Sequence, residues 1–307
     1  MSQGEVPIQG GPRKAARRLQ LGFAGENFGY AISLGLPDSS GHFMLPGHSS
    51  PIASRFTLDP WIKRESIWGG PLYRSASALV DRQGPMIRAR AGRQWEVLAQ
   101  HTSSGDSLFD RVGNLSSSPE VLHLREQIRG WRFYDHLRTD SQAPARRPQL
   151  GTRTPVLHHD GRDLAAALQT IIEVGDQQAL HETISDAFPE SRLEIDAVPG
   201  GLFGVQFYQE GLLRPLSAAE LSDGTLRYLL LVAALLTPRP PTLMVLNEPE
   251  TSLHPDLLPA LARLIIRASQ QCQVWVVSHA RRLIAALQQD PECNCICLLY
   301  TSPSPRD

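Results

Sequence analysis

Leu243-Met244-Val245-Leu246-Asn247-Glu248-Pro249-Glu250-Thr251-Ser252-Leu253-His254-Pro255 is an apolar run that breaks off into polar residues and then turns at a proline. With Pro240-Pro241 just upstream, this run predicts a strand over 242–246 that is buried on both faces, the habit of a parallel sheet. Pro255 suits the first position of a helix, predicted over 255–268 with Leu257, Leu258, Leu261, Leu264 and Ile265 facing inward. Val274 to Val277 repeats the short apolar strand and ends in Ser278-His279. A helix follows over 281–288, and Cys295 to Leu299 reads as a third strand. Upstream, Leu221-Ser222-Asp223-Gly224-Thr225-Leu226-Arg227 opens a helix predicted over 223–236, which Thr237-Pro238 ends. Strands alternating with helices imply a parallel α/β core.

Polar residues gather where these elements end. Ser222 suits a helix cap, and Gly224 lets an anion approach free N–H groups at the helix start, a phosphate-binding arrangement. Asn247 and Glu248 sit just past the carboxyl end of a parallel strand, where ligands bind in open α/β sheets. Glu248 is suited to take a proton from an attacking water. Asn247 can hold magnesium directly or through water, and His279 can reach a γ-phosphate or that water. His254, before Pro255, reads as turn chemistry.

Outside this core, period-2 runs at Leu19–Phe23 and Phe28–Leu34 flank Gly25-Glu26-Asn27 and predict a hairpin. Further strands are expected at 66–68, 76–81, 86–90 and 94–99, so 19–99 reads as an antiparallel β lobe after a basic leader, 1–18. Ser118-Pro119 predicts a helix start, with Val121, Leu122, Leu124, Ile128, Trp131 and Tyr134 as one helical stripe. Helices are expected over 163–174 and 177–188, then a hairpin of 193–198 and 203–208 around Gly200-Gly201. Residues 100–217 thus read as a helical insert with a β-hairpin, 218–289 as the α/β core, and 290–307 as a C-terminal strand and a tail of doubtful origin.

Composition narrows the class. A net charge of −1 from 30 Lys+Arg and 31 Asp+Glu, with 41% hydrophobic residues, excludes a disordered chain and a strongly basic nucleic-acid coat. The longest apolar run, Tyr228 to Leu236, is too short to span a bilayer. The first 20 residues lack a signal peptide's apolar segment, so a cytoplasmic protein without a membrane partner is expected. Arginine clusters at 13–18, 88–93 and Arg146-Arg147 read as solvated surface. Cys293, Cys295 and Cys297 alternate, which predicts one buried strand face in preference to a metal site. No disulfide framework is implied.

As a set, "ELSDGTLRYLLLVAALLTP", "LMVLNEPETSLHPDLLPALARLI" and "VWVVSHA" resemble the ABC-type ATPases of the RecF/SMC/OLD-like branch, the AAA_21-like predicted ATPases. Upstream, "DGRDLAAALQTI" resembles the segment before the helical insert of such proteins. The resemblance implies a P-loop NTPase-like fold and an ATPase using ATP and Mg2+. Leu221 to Arg227 takes the place of the signature, Leu243 to Glu248 that of Walker B with Glu248 as catalytic glutamate, Thr251 to Pro255 that of the D-loop, and His279 that of the switch histidine. It further implies a homodimer formed on ATP binding, in which Ser222, Asp223 and Gly224 act in trans on the partner's nucleotide and Ser252 serves the D-loop. DNA enters as a partner by analogy alone.

Two departures stand out. The family's Walker A loop, G-x-x-x-x-G-K-[ST], is missing: Lys14 is followed by Ala15 and Lys63 by Arg64, and the sequence has no other lysine. An N-terminally truncated chain is the expectation that follows. Asn247 stands where the family more usually has Asp, which gives magnesium a neutral oxygen. The alternative function is therefore a degenerate, non-hydrolysing scaffold or binding module of the same fold.

Overall fold

The structure, a computed structural model describing residues 18–37, 42–43, 52–53, 58–111 and 119–297, divides into two units between Ile128 and Arg129. The leader through residue 17, the expected cap at Ser118 and the tail from residue 298 lie outside the described residues.

The first unit is built on the alternating runs. β1 (Arg18–Ala24) and β2 (Phe28–Gly35) form the expected hairpin around Gly25–Asn27. Among the described residues, β3 (His42–Phe43) and β4 (Ile52–Ala53) pair only with each other. β5 (Trp61–Gly69), β6 (Ala78–Gln83), β7 (Met86–Ala91) and β8 (Gln94–Ala99) continue the antiparallel sheet in the order β1-β2-β5-β6-β7-β8. α1 (Leu108–Arg111) and the first part of α2 (Pro119–Gly130) supply Leu108, Val121 and Leu124, which bury Ile67, Val80 and Ile87. Beside them lies a fully buried ion pair, Arg82 with Glu65 at 3.1 Å. Glu65 also accepts hydrogen bonds from the Tyr30 hydroxyl (2.9 Å), the Ser107 hydroxyl (2.7 Å) and the Leu108 N–H (2.8 Å). Arg82 donates to the carbonyls of Gly84, Ser103 and Asp106. A buried charge pair persists only when its other donors and acceptors are used in this way. Burial and the adjoining Glu65 carboxylate push the Tyr30 phenol up.

The second unit contains the parallel sheet, in the order β15-β14-β9: β14 (Leu243–Asn247) lies between β15 (Gln273–Val277) and β9 (Arg132–Tyr134). Both neighbours run parallel to it. β10 (Gln149–Leu150), β12 (Leu202–Tyr208) and β11 (Arg192–Val198) form an antiparallel sheet, with β13 (Leu216–Ser217) also on β12. α5 (Asp223–Leu235) is buried from Leu226 to Leu235, as a helix apolar on all sides must be. It shares one core with α3 (Leu164–Val174), α4 (Gln177–Ala187), α6 (Leu258–Ser269) and α7 (Arg281–Leu287). A 3-10 turn, Pro255–Leu257, leads into α6. Thus α3, α4 and the β11–β12 hairpin pack in the same core as 218–289, whereas 100–111 and 119–128 go with the first unit.

Two expectations are corrected. The helical stripe does not run on to Tyr134: the helix ends at Gly130, and Arg132–Tyr134 is a strand paired with Met244–Leu246. Tyr134 is buried there, its hydroxyl donating to the Leu157 carbonyl at 2.9 Å. The third parallel strand is therefore β9. Residues 295–297 form no strand, and Cys293, Cys295 and Cys297 are exposed. Residues 295–297 pair with neither margin of the described sheet, β15 or β9, so their alternation has no ladder to make it a strand. Residues 298 and 299 lie outside the described residues.

One face of the parallel sheet, Tyr134, Met244, Leu246, Val274 and Val276, packs on the helices. On the opposite face Phe133 and Trp275 flank Val245 in register, with Val277 beyond, and Phe133, Trp275 and Val277 are each about half exposed.

Candidate active site

β14 and β15 end together because Asn247 pairs with Val277, so the polar residues that follow the two strands meet. Glu248 leaves β14 with φ of 45°, and its N–H donates to the Val277 carbonyl at 2.8 Å. That turn brings Glu248 Oε1 to 3.5 Å from His279 Nε2. Both groups stand open: the His279 side chain is 84% exposed and that of Glu248 49%. Asn247 is exposed beside them. The Asn247 amide oxygen and the Glu248 carboxylate are oxygen donors of the kind a hard divalent cation takes.

Glu250 ties the two strand ends together. Its Oε1 accepts from the Ser278 hydroxyl at 2.5 Å, the His279 N–H at 3.0 Å and the Ala280 N–H at 3.1 Å. Its Oε2 is buried and has no hydrogen-bond partner among the described residues. The turn carrying His279 is thereby fixed to the turn carrying Glu248.

Ser222 is the N-cap of α5, its hydroxyl accepting from the Thr225 N–H at 3.1 Å. The remaining first-turn N–H groups of a helix have no intrahelical acceptor. Gly224 has a further task that the sequence did not reveal. A Cβ on it would lie 2.6 Å from the Ser252 carbonyl oxygen, so glycine lets the 248–252 turn rest against the helix tip. Ser252 itself has φ of 66°. Asp223 pairs with Arg146 at 2.5 Å. His254 opens the 3-10 turn, Nδ1 accepting from the Asp256 N–H at 3.3 Å, the turn chemistry expected of it.

Thus Glu248 adjoins His279 and Gly224 adjoins Ser252, while Ser222 and Asp223 direct their side chains to Thr225 and Arg146. Sequence reasoning assigned nothing to Arg227 or Glu250. Arg227 is 7% exposed and donates to the Leu137 carbonyl at 2.9 Å and the Glu248 carbonyl at 3.2 Å. Burial pushes its pKa down, and the nearby Glu250 carboxylate opposes that shift. The detectable signal was an arginine inside the apolar run Leu226 to Leu236, a position that demands buried partners.

Elsewhere among the described residues, one cluster has metal-ligating atoms close together: His158, His159 and Asp160, within 4.8 Å. The Arg162 guanidinium lies against His158 Nε2, so a cation already occupies that ligand.

The AAA_21 family model, described as "AAA domain, putative AbiEii toxin, Type IV TA system", matches residues 91–285, well over half of the chain. No curated protein matches. Among solved structures, the chain is similar to the Smc head domain with a coiled coil and joint derived from Pyrococcus yayanosii, at 15% identity over 39% of this chain, with a TM-score of 0.33. It spans 24% of that protein's length. It is also similar to the SMC head domain from Thermotoga maritima, at 11% identity over 88% of this chain and 91% of that one, with a TM-score of 0.34. A Pyrococcus furiosus Smc head bound to the C-terminal domain of ScpA is 9% identical over 85% and 72% of the two chains, with a TM-score of 0.36.

Proposed function

The chain belongs to the AAA_21 family of AAA domains, an ATPase family with a P-loop NTPase-like α/β fold, and from that premise we propose that it binds and hydrolyses ATP as an ATP-driven homodimer. One observation carries the reading: Glu248 Oε1 and His279 Nε2 stand 3.5 Å apart at the carboxyl ends of adjacent parallel strands. A carboxylate and an imidazole so placed, both open to solvent, can reach one substrate-bound water lying beside them.

In this reading Glu248 is the general base and His279 meets the γ-phosphate. Asn247 offers its amide oxygen on the magnesium side, directly or through water. Magnesium, when bound, neutralises charge on the phosphate oxygens. Ser222, Asp223 and Gly224 present the α5 tip to the nucleotide of the second protomer, and Ser252 lies between that tip and the chain's own Glu248. Arg227 and Gly224 both touch the 248–252 turn, so the α5 tip lies against the chain's own catalytic turn.

The test is Glu248→Gln in the full-length protein. Loss of turnover with accumulation of an ATP-bound dimer, read by light scattering, is the expected result; wild-type turnover in that variant would overturn the assignment. Asn247, where the family more usually carries a carboxylate, favours a second reading, a scaffold of the same fold. It predicts a wild-type protein without ATP turnover whose assembly ignores nucleotide.

A further inference from the structure

Arg146 reads in the sequence as part of a surface cluster, yet its side chain is 10% exposed. It rises from a 3-10 turn, Pro144–Arg146, and its guanidinium enters the loop that precedes α5. Nη1 donates to the carbonyls of Leu221 (2.7 Å), Ala218 (3.2 Å) and Ala219 (3.3 Å). Nε and Nη2 donate to the Thr139 carbonyl at 2.9 and 2.8 Å, and Nε also to the Asp140 carbonyl at 3.1 Å. The remaining arm of Nη2 reaches Asp223 Oδ1 at 2.5 Å. Every guanidinium nitrogen is engaged, and the acceptors on one side are the last residues before the helix cap and the first residue after it.

We propose that Arg146 is the positioning residue for the α5 tip: it fixes the backbone on both sides of Ser222 so that the tip is already formed when it meets a partner protomer's nucleotide. The proposal rests on the dimeric ATPase reading and adds one property to it: Arg146 acts in trans. Only a planar fork of five donors spans three carbonyls and a carboxylate at once, so lysine cannot replace it. Loss of the fork leaves the loop carbonyls without their donor and the tip displaced. A displacement of about 1 Å is enough to slow a positioned reaction on the order of 10²-fold. The bonds that hold the chain's own Glu248 and His279 come from Glu250, Arg227 and the strand ends, and none comes from Arg146, so those ties survive its loss.

Mixed dimers of the full-length protein test this. Arg146→Ala and Glu248→Gln should each be nearly inactive alone. Mixed in equal amounts, half the dimers would be heterodimers with one intact composite site, restoring about a quarter of wild-type ATP turnover. Ser222→Arg mixed with Glu248→Gln is the reference for trans action at the tip. If that reference mixture recovers activity and the Arg146 mixture does not, Arg146 acts in cis or only in folding, and the proposal is overturned while the ATPase reading stands. If neither mixture recovers, or the wild type turns over no ATP, the dimeric reading fails and takes the proposal with it. A folded Arg146→Ala with normal turnover overturns the proposal directly. Should Arg146→Ala fail to fold, Arg146→Lys keeps the aliphatic stem and a charge, and the same outcomes apply.

Discussion

The backbone carbonyl of Glu248 accepts a hydrogen bond from Arg227 Nη2 at 3.2 Å, so the turn after β14 is held by its main chain and the Glu248 carboxylate stays free to face His279. Removing Arg227 would strip a donor from two carbonyls, those of Leu137 and Glu248. Arg227→Met should destabilise the second unit by about 2–4 kcal/mol, read as a lower urea midpoint. ATP turnover should fall even at temperatures where the variant is fully folded. Unchanged turnover in folded protein would mean that this tie does not serve the site.

Glu248 sits at φ 45°, a conformation that side-chain-bearing residues adopt at a cost of roughly 1 kcal/mol or more. Glu248→Gly relieves that cost, and the larger backbone freedom of glycine offsets part of the gain. The variant should therefore melt within a few degrees of the wild type, or above it, while losing turnover by on the order of 10²-fold or more. A large fall in melting temperature would assign Glu248 to architecture.

Gly224 offers the opposite case. Alanine is the better helix former by about 1 kcal/mol, so propensity alone predicts that Gly224→Ala stabilises α5. The contact of 2.6 Å that its Cβ would make with the Ser252 carbonyl reverses the sign. We expect a net loss of about 1–3 kcal/mol and weaker ATP-driven association. A rise in melting temperature would show that the 248–252 turn can shift away from the helix.

The carboxyl of Glu220 is held down at about 2 by its hydrogen bonds from Arg214 and from the Ser217 N–H and hydroxyl. A carboxylate whose pKa falls on folding stabilises the folded state above its ordinary value of 4.5, and that contribution is lost as pH drops toward about 2. Melting curves of the wild type and Glu220→Gln should therefore differ at neutral pH and converge across that window. The group is open to solvent, so the difference is small and should shrink in salt. Parallel curves across the window would contradict the hydrogen-bonded geometry.

In the first unit, Glu65→Gln would leave the fully buried Arg82 without its counter-charge. Such half-broken pairs lose about 3–5 kcal/mol, whereas Tyr30→Phe, which removes one donor to Glu65, should lose about 1 kcal/mol. Hydrogen exchange of the β5 and β6 amides reads both. Equal effects would mean that Arg82 finds other partners.

Much of this arrangement is legible in the sequence where one residue's chemistry suffices. The apolar run of β14, bounded by prolines and ending in Asn247-Glu248, announces a buried strand with a polar tip, and Val274–Val277 repeats it. β9 is hidden because Trp131 and Tyr134 continue the helical spacing of Leu124 and Ile128; only the space beside β14 makes Arg132–Tyr134 a strand. The cysteines mislead for the converse reason: their alternation is local, and a strand exists only where its backbone pairs with another. Arg82 and Arg146 are illegible one at a time, since a buried arginine is specified by carbonyls far away in the chain; Arg227 betrays its burial only by its apolar neighbours. Gly224 shows the same limit, its nearest obstacle being Ser252.

The bare side of the parallel sheet has a practical corollary. Strands of this type are normally roofed by helices on both sides, yet Phe133, Trp275 and Val277 stand half uncovered, and β15 closes the sheet's order at one margin. Such a surface is adhesive in water. Purified protein should clump as its concentration rises, and a charged residue in place of Trp275 should keep it dispersed.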